Sequence, residues 1–275
     1  MNCYWDKHDL RVIIYSILII SLLALLSCDI FDSRGNIIPI EGDIIFSIKE
    51  DYEHYDSICE PSVLLSMETE KIYGCCNFTI ESEIGIYDSK ILIDISGIYV
   101  PEICLTALGP ATSKSFLDVS DGEYLLELSY RGVTDEYILI ITNSYIKVTE
   151  VESHFTEFDI NLFWRYPFNS FAYLCGTTTE NSWICEDFLD TLLSMMELEE
   201  FHFPDSGEIC YPCSSSGHYY DMPGKYFFYE NEEDFDYAGE ILEIYSRNVI
   251  SQYSGIGLSL INWKNKKYYS WLFNK

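Results

Sequence analysis

Cys210-Tyr211-Pro212-Cys213 is the pair of residues whose types and spacing come closest to a chemical signature. Two thiols three positions apart suit a redox dithiol, half of a zinc site, or a disulfide. A catalytic dithiol needs a helix starting at its first cysteine, whose N-terminus lowers the thiolate pKa. Here Ser214-Ser215-Ser216-Gly217 follows, a loop composition. A zinc site needs two further ligands, which Cys175 and Cys185, or His202 and His218, could supply at no recognisable spacing. His218 beside the serines offers a base for a metal-dependent hydrolase. However, no Gly-x-Ser-x-Gly elbow or His-Glu-x-x-His pair occurs to support one.

The other thiols read as structural. Cys59, Cys75, Cys76, Cys104, Cys175, Cys185, Cys210 and Cys213 form an even set once Cys3 and Cys28 are set aside. An even set suits disulfides in an exported chain and buried thiols in a reducing habitat. Eight cysteines allow about a hundred full pairings, so sequence selects none. Cys75 and Cys76 are neighbours on an expected strand and point to opposite faces. They are therefore not expected to pair with each other; one of them is expected to meet Cys59 or Cys104.

Two further clusters invite a functional reading. The acidic run Glu230, Glu232, Glu233, Asp234 and Asp236 lacks the alternating ligands and glycine of a calcium loop, and suits the positive end of a helix instead. The region holding Tyr219, Tyr220, Tyr226, Phe227, Phe228 and Tyr229, with Tyr268, Tyr269 and Trp271, is dense in aromatics. Most belong in a core, because aromatics suit strands. A few exposed ones beside carboxylates would stack on sugar rings or grip a peptide. His218, Tyr219 and Tyr220 are the candidate ligand contacts, and no cofactor is implied.

The net charge of -29 narrows the partners. Phosphate binding needs clustered Lys and Arg, and the only basic cluster is Lys264, Lys266 and Lys267. Nucleic acid is therefore excluded as an expected partner, and anionic lipid headgroups would repel this surface. With 16% aromatic and 48% hydrophobic residues, the acidic side chains coat a folded body rather than a disordered one.

The elements that must hold these residues fall into two sets. From Asp43 to about Val151 the pattern is β: strands are expected at Asp43–Ile48, Ile72–Ile80, Lys90–Ser96, Glu123–Tyr130, Tyr137–Thr142 and Tyr145–Val151. Tyr124, Leu126, Leu128 and Tyr130 alternate with mostly polar neighbours, the period of a half-buried strand, and Arg131-Gly132 marks a turn. Tight turns and no helical period predict an antiparallel β-sandwich. Gly122-x-Tyr124-x-Leu126 resembles the strand motif of Ig-like and transthyretin-like modules, whose sandwich fold serves as a spacer or binding platform.

Beyond Glu152 the order becomes β-α-β, long loop, β-α-β-β. Strands are expected at Phe171–Cys175, Glu200–Phe203, Lys225–Tyr229, Ile256–Trp263 and Lys267–Phe273. A helix capped at Asn181 or Ser182 runs to Met196, and another starts at Asn231 and ends at Gly255. This order resembles ferredoxin-like topologies, which implies a smaller α+β sandwich.

The N-terminus places the whole. Lys7 and Arg11 precede the apolar run Val12–Ser27, which is shorter than the roughly 20 residues of a membrane span. Leu25-Leu26-Ser27-Cys28 resembles the lipobox of bacterial lipoproteins. The resemblance implies cleavage after Ser27 and a diacylglycerol on Cys28. The expected organisation is a signal peptide over 1–27, a lipidated tether over 28–42, a β-sandwich domain over 43–152, a linker over 153–170 and an α+β domain over 171–275. The expected function is a non-catalytic binding or interaction protein of the cell envelope, anchored through lipid and facing periplasm or exterior. Its partners would be the membrane and another envelope protein or a glycan. The alternative is an envelope enzyme, a thiol oxidoreductase or metal-dependent hydrolase centred on Cys210, Cys213 and His218.

Overall fold

Alternation of apolar and polar residues builds about half of the described chain into strands, and the computed structural model describes residues 36–212 and 220–273, the side chains of 220–222 excepted. Cys28 and the signal segment lie outside the described residues, as do Cys213, His218 and Tyr219. Among the described residues no helix is long and apolar enough to cross a membrane.

The chain divides into residues 1–37, of which only Asn36 and Ile37 are described, and a compact unit of residues 38–275. In chain order the first strands are β1 (Asn36–Ile38), β2 (Ile44–Asp51), β3 (Ser62–Tyr73), β4 (Thr79–Tyr87), β5 (Lys90–Val100) and β6 (Gly109–Leu117). Then come β7 (Gly122–Tyr130), β8 (Val133–Ile141), β9 (Tyr145–Glu152), β10 (Thr156–Phe158) and β11 (Leu162–Trp164). With β14 (Glu208–Ile209), strands β2 to β11 form a large sheet ordered β10-β2-β3-β6-β4-β5-β7-β8-β9-β11-β14. The sheet curls on itself: Phe46 of β2 meets Tyr137 of β8 edge to face at 4.9 Å. Ile44, Ile48, Ile93, Leu126, Leu139 and Ile146 are buried in the same core.

The expected purely antiparallel arrangement is corrected to a mixed sheet. β10 with β2, β4 with β6, β5 with β7, and β11 with β14 are parallel. The reason is a crossover: β6 leaves its sequence neighbour to pair with β3, so β5 and β7 become adjacent in the same direction. The expected strand Ile72–Ile80 is instead the end of β3, a bend and the start of β4. The body of β3 was hidden because Val63, Leu64 and Leu65 are all buried and break the alternation.

The segment 153–170, expected as a linker, is part of the sheet. Thr156, Ile160 and Phe163 are buried, and β10 and β11 pair with β2 and β9. The end of the expected tether also docks: Ile40 is buried and its N–H donates to Tyr130 Oη at 2.8 Å.

The second sheet is antiparallel, ordered β13-β15-β12-β16-β17. Its strands are β12 (Ser170–Thr177), β13 (Glu199–Phe201), β15 (Tyr220–Phe228), β16 (Gly257–Asn262) and β17 (Lys267–Tyr269). Helices α1 (Trp183–Met195) and α2 (Glu232–Asn248) cover one face. Asn231 caps α2 as its sequence predicts: its Oδ1 accepts from Glu233 N and Asp234 N at 3.0 and 3.2 Å, and Asp234 Oδ2 accepts from Asn231 N at 3.0 Å. The acidic run therefore serves the helix start, with Asp236 also accepting from Lys266 and from Tyr268 Oη.

Candidate functional site

Strand periodicity gives the second sheet two unlike faces. Phe171, Tyr173, Cys175, Phe227, Leu258 and Leu260 meet Phe188 and Leu192 of α1 and Phe235, Leu242 and Tyr245 of α2. Tyr268 joins that side and packs where α2 carries Gly239; a Cβ there would stand 2.6 Å from the ring. The residues in between, Leu174, Ser259, Ile261, Lys267 and Tyr269, face the other way and floor an open groove of about 280 Å³.

The loop after β2 forms its opposite wall. Tyr52 Oη donates to the Trp263 carbonyl at 2.9 Å, and the Tyr52 ring lies 5.3 Å from that of Tyr166. Asn265, which closes the β16–β17 turn at φ 66°, donates through Nδ2 to the carbonyls of Tyr55 and Ser57 at 2.7 and 3.1 Å. Asn is well suited to this left-handed position. Loop and turn are thereby tied together, with Asp51 and Tyr55 lining the groove.

Several properties of the lining bear on binding. Lys267 Nζ sits 4.2 Å from the centre of the Tyr55 ring, and Tyr55 is 79% exposed. Burial pulls the Lys267 ammonium below its usual pKa, with Asp56 working against the shift. Tyr269 stacks on Trp271 at 4.5 Å and 19°, and Trp271 is 43% exposed. Ser259 is fully buried, and its Oγ has no hydrogen-bond partner among the described residues. Burial raises the phenol pKa values of Tyr52, Tyr166 and Tyr269, keeping them protonated at neutral pH. The groove thus offers flat apolar rings, neutral hydroxyls, one ammonium and one carboxylate. Among the described residues no base stands within hydrogen-bond reach of the Ser259 Oγ to activate it. This set is equipped to bind and orient a ligand.

Of the residues singled out from sequence, Tyr269 lines the groove and the described cysteines do not. Cys75 pairs with Cys104, one of the two partners expected for that position. Cys175 pairs with Cys185, which withdraws both from the proposed zinc set. Among the described residues no three of His, Cys, Asp and Glu gather as metal ligands. Cys59, Cys76 and Cys210 carry free thiols, Cys76 exposed and the others half-buried. Cys210 follows β14 and packs against both the large-sheet core and the Tyr211 layer beneath the second sheet. Burial, reinforced by the Glu50 carboxylate, pushes its thiol well above the usual value, the opposite of an activated nucleophile. Neither Tyr211 nor Pro212 lies in a helix. Of the candidate ligand contacts, Tyr220 begins β15 and its side chain lies outside the described set, while His218 and Tyr219 lie wholly outside. The groove draws on Tyr52, Tyr55, Tyr166, Ser259, Asn265 and Lys267, which sequence reading did not select. For Lys267 the available signal was its opposite parity to Tyr268 on β17.

Comparisons with known proteins add no assignment: no family model, no curated protein and no solved structure matches the chain.

Proposed function

We propose that the chain is an exported lipoprotein of a bacterial cell envelope, held in the membrane by lipid on Cys28, and that its folded part is a non-catalytic module that binds a glycan in the groove beneath Tyr52 and Tyr55. The carrying observation is the stacked pair Tyr269 and Trp271 at a groove lined by neutral phenols. Flat apolar rings edged with hydroxyls complement the ring faces and edges of a sugar. In fold, the second sheet reads as a ferredoxin-like α+β sandwich with one added edge strand. The support is the order β13-β15-β12-β16, with α1 after β12 and α2 after β15. The large sheet reads as an Ig-like or transthyretin-like sandwich elaborated by its parallel pairs.

Two measurements test these readings separately. Intact mass of the protein from its native membrane should show loss of residues 1–27 and acyl mass on Cys28; the full-length mass overturns the lipoprotein. Titration of neutral and acidic oligosaccharides into the full chain in a sugar-free detergent should show binding that falls about tenfold or more in Tyr269→Ala. No binding by either class overturns the glycan reading.

A further inference from the structure

Lys267 is unlike the lysines around it. Lys49, Lys71, Lys90, Lys225, Lys264 and Lys266 each have a carboxylate within salt-bridge distance, and Lys114 and Lys147, which have none, are exposed to water. Lys267 is half-buried in a chain of net charge -29, yet among the described residues it forms no ion pair and donates no hydrogen bond. Its ammonium lies against the Tyr55 ring, with Asp56 near enough to act on its charge but not to pair with it. A ring face attracts a cation but offers no lone pair, so the three ammonium donors remain available.

Ser259 supplies the second, independent observation. It lies on the neighbouring strand and the same face: Ser259 pairs with Tyr269 and Ile261 with Lys267. The two side chains are therefore diagonal neighbours across the groove floor, at about the 7–8 Å such pairs span. A buried hydroxyl without a partner is costly, so this one stands ready for a ligand oxygen.

Resting on the glycan reading above, we infer that the groove is selective for an acidic sugar, with the ligand carboxylate on Lys267, a neighbouring ring oxygen or hydroxyl on Ser259, and the ring face on Tyr269. Carboxylate suits the site better than phosphate. A phosphate monoester carries close to two charges at neutral pH, and it would meet Asp51 in the groove lining and the field of Asp56 near the ammonium. The volume of about 280 Å³ is at the small end for ligand sites and fits a single residue of a chain.

The test is a minimal pair, methyl β-D-glucuronide against methyl β-D-glucoside, which differ only at the carboxylate. Ligand-observed NMR on the full chain in a sugar-free detergent should show about tenfold tighter binding of the glucuronide. Lys267→Gln should abolish that preference and Lys267→Arg should retain it. In the unmodified protein, which needs no variant to fold, the preference should shrink as sodium chloride rises. Equal binding of the two sugars, a preference that survives Lys267→Gln, or one indifferent to salt overturns the inference and leaves the glycan reading in place. Binding of neither sugar overturns both.

Discussion

Glu50 and Arg165, far apart in sequence, form a partly buried ion pair: Arg165 Nε donates to Glu50 Oε1 at 2.8 Å, while Tyr166 N–H donates to Oε2 at 2.9 Å. Arg165 also donates to Asp121 Oδ1 at 2.8 Å and to the Thr142 carbonyl. The pair ties the end of β2 to the exit of β11, where Tyr166 enters the groove wall. Burial raises the Glu50 carboxyl pKa, against the pull of Arg165. Removing one partner of such a pair is costly, whereas replacing both with apolar groups is often nearly neutral. Glu50→Ala should therefore destabilise the fold by about 3–5 kcal/mol in urea unfolding, and Glu50→Met with Arg165→Met should recover part of that loss.

Asp135 plays a comparable part at the other end of the large sheet. It is fully buried in β8 and accepts from the N–H groups of His154, Phe155 and Thr156 at 2.8, 3.0 and 2.8 Å, and from Thr156 Oγ1 at 2.6 Å. Asp135→Ala orphans these donors and should cost about 3 kcal/mol or more, since bonds to a charged acceptor contribute roughly 1.5–3 each. Hydrogen exchange should quicken first at residues 154–156.

The disulfides close loops of different length. Cys75 and Cys104 are 29 residues apart and Cys175 and Cys185 are 10. Chain entropy then predicts a loss of about 3–4 kcal/mol on replacing the first pair with alanine and about 2–3 for the second. Equal losses would count against a loop-entropy origin.

Thiol reactivity should separate the free cysteines. Alkylation of the folded, unreduced protein should mark Cys76 first, because it is exposed, and Cys210 last, because burial holds its thiol protonated. Rapid labelling of Cys210 would restore the thiol oxidoreductase reading.

Asp236 sets a pH dependence. Burial alone would raise its pKa, but hydrogen bonds from Lys266 and Tyr268 outweigh it and hold the carboxyl below its ordinary value. A lowered folded-state value stabilises the fold above the ordinary carboxylate pKa, and this contribution is lost as pH falls through the folded value. Asp236→Asn should flatten that acid limb; an unchanged limb would mean the contact adds nothing.

Much of this was legible in local pattern. β5, β7, β8 and β9 follow from alternation, the turn at Arg131-Gly132 from its residue types, and α2 from Asn231. The rest depends on long-range pairing. β10 and β11 are three residues each, too short to show a period. β6 carries mostly small and polar residues and is held in place by pairing with β3. The groove assembles Tyr52, Tyr166, Ser259 and Lys267 from distant segments, and no single window of sequence contains enough of it to form a motif.

β14 follows α1 in the chain yet pairs in the large sheet with β11, and Cys210 beside it reaches both layers. The two sheets are thus stitched through each other rather than strung in series. A fragment ending near residue 170 would expose the edge of β11, and one beginning there would carry a strand with nothing to pair to. The halves cannot be traded singly among other proteins as cassettes: inheritance and proteolytic turnover would each have to treat them as one piece.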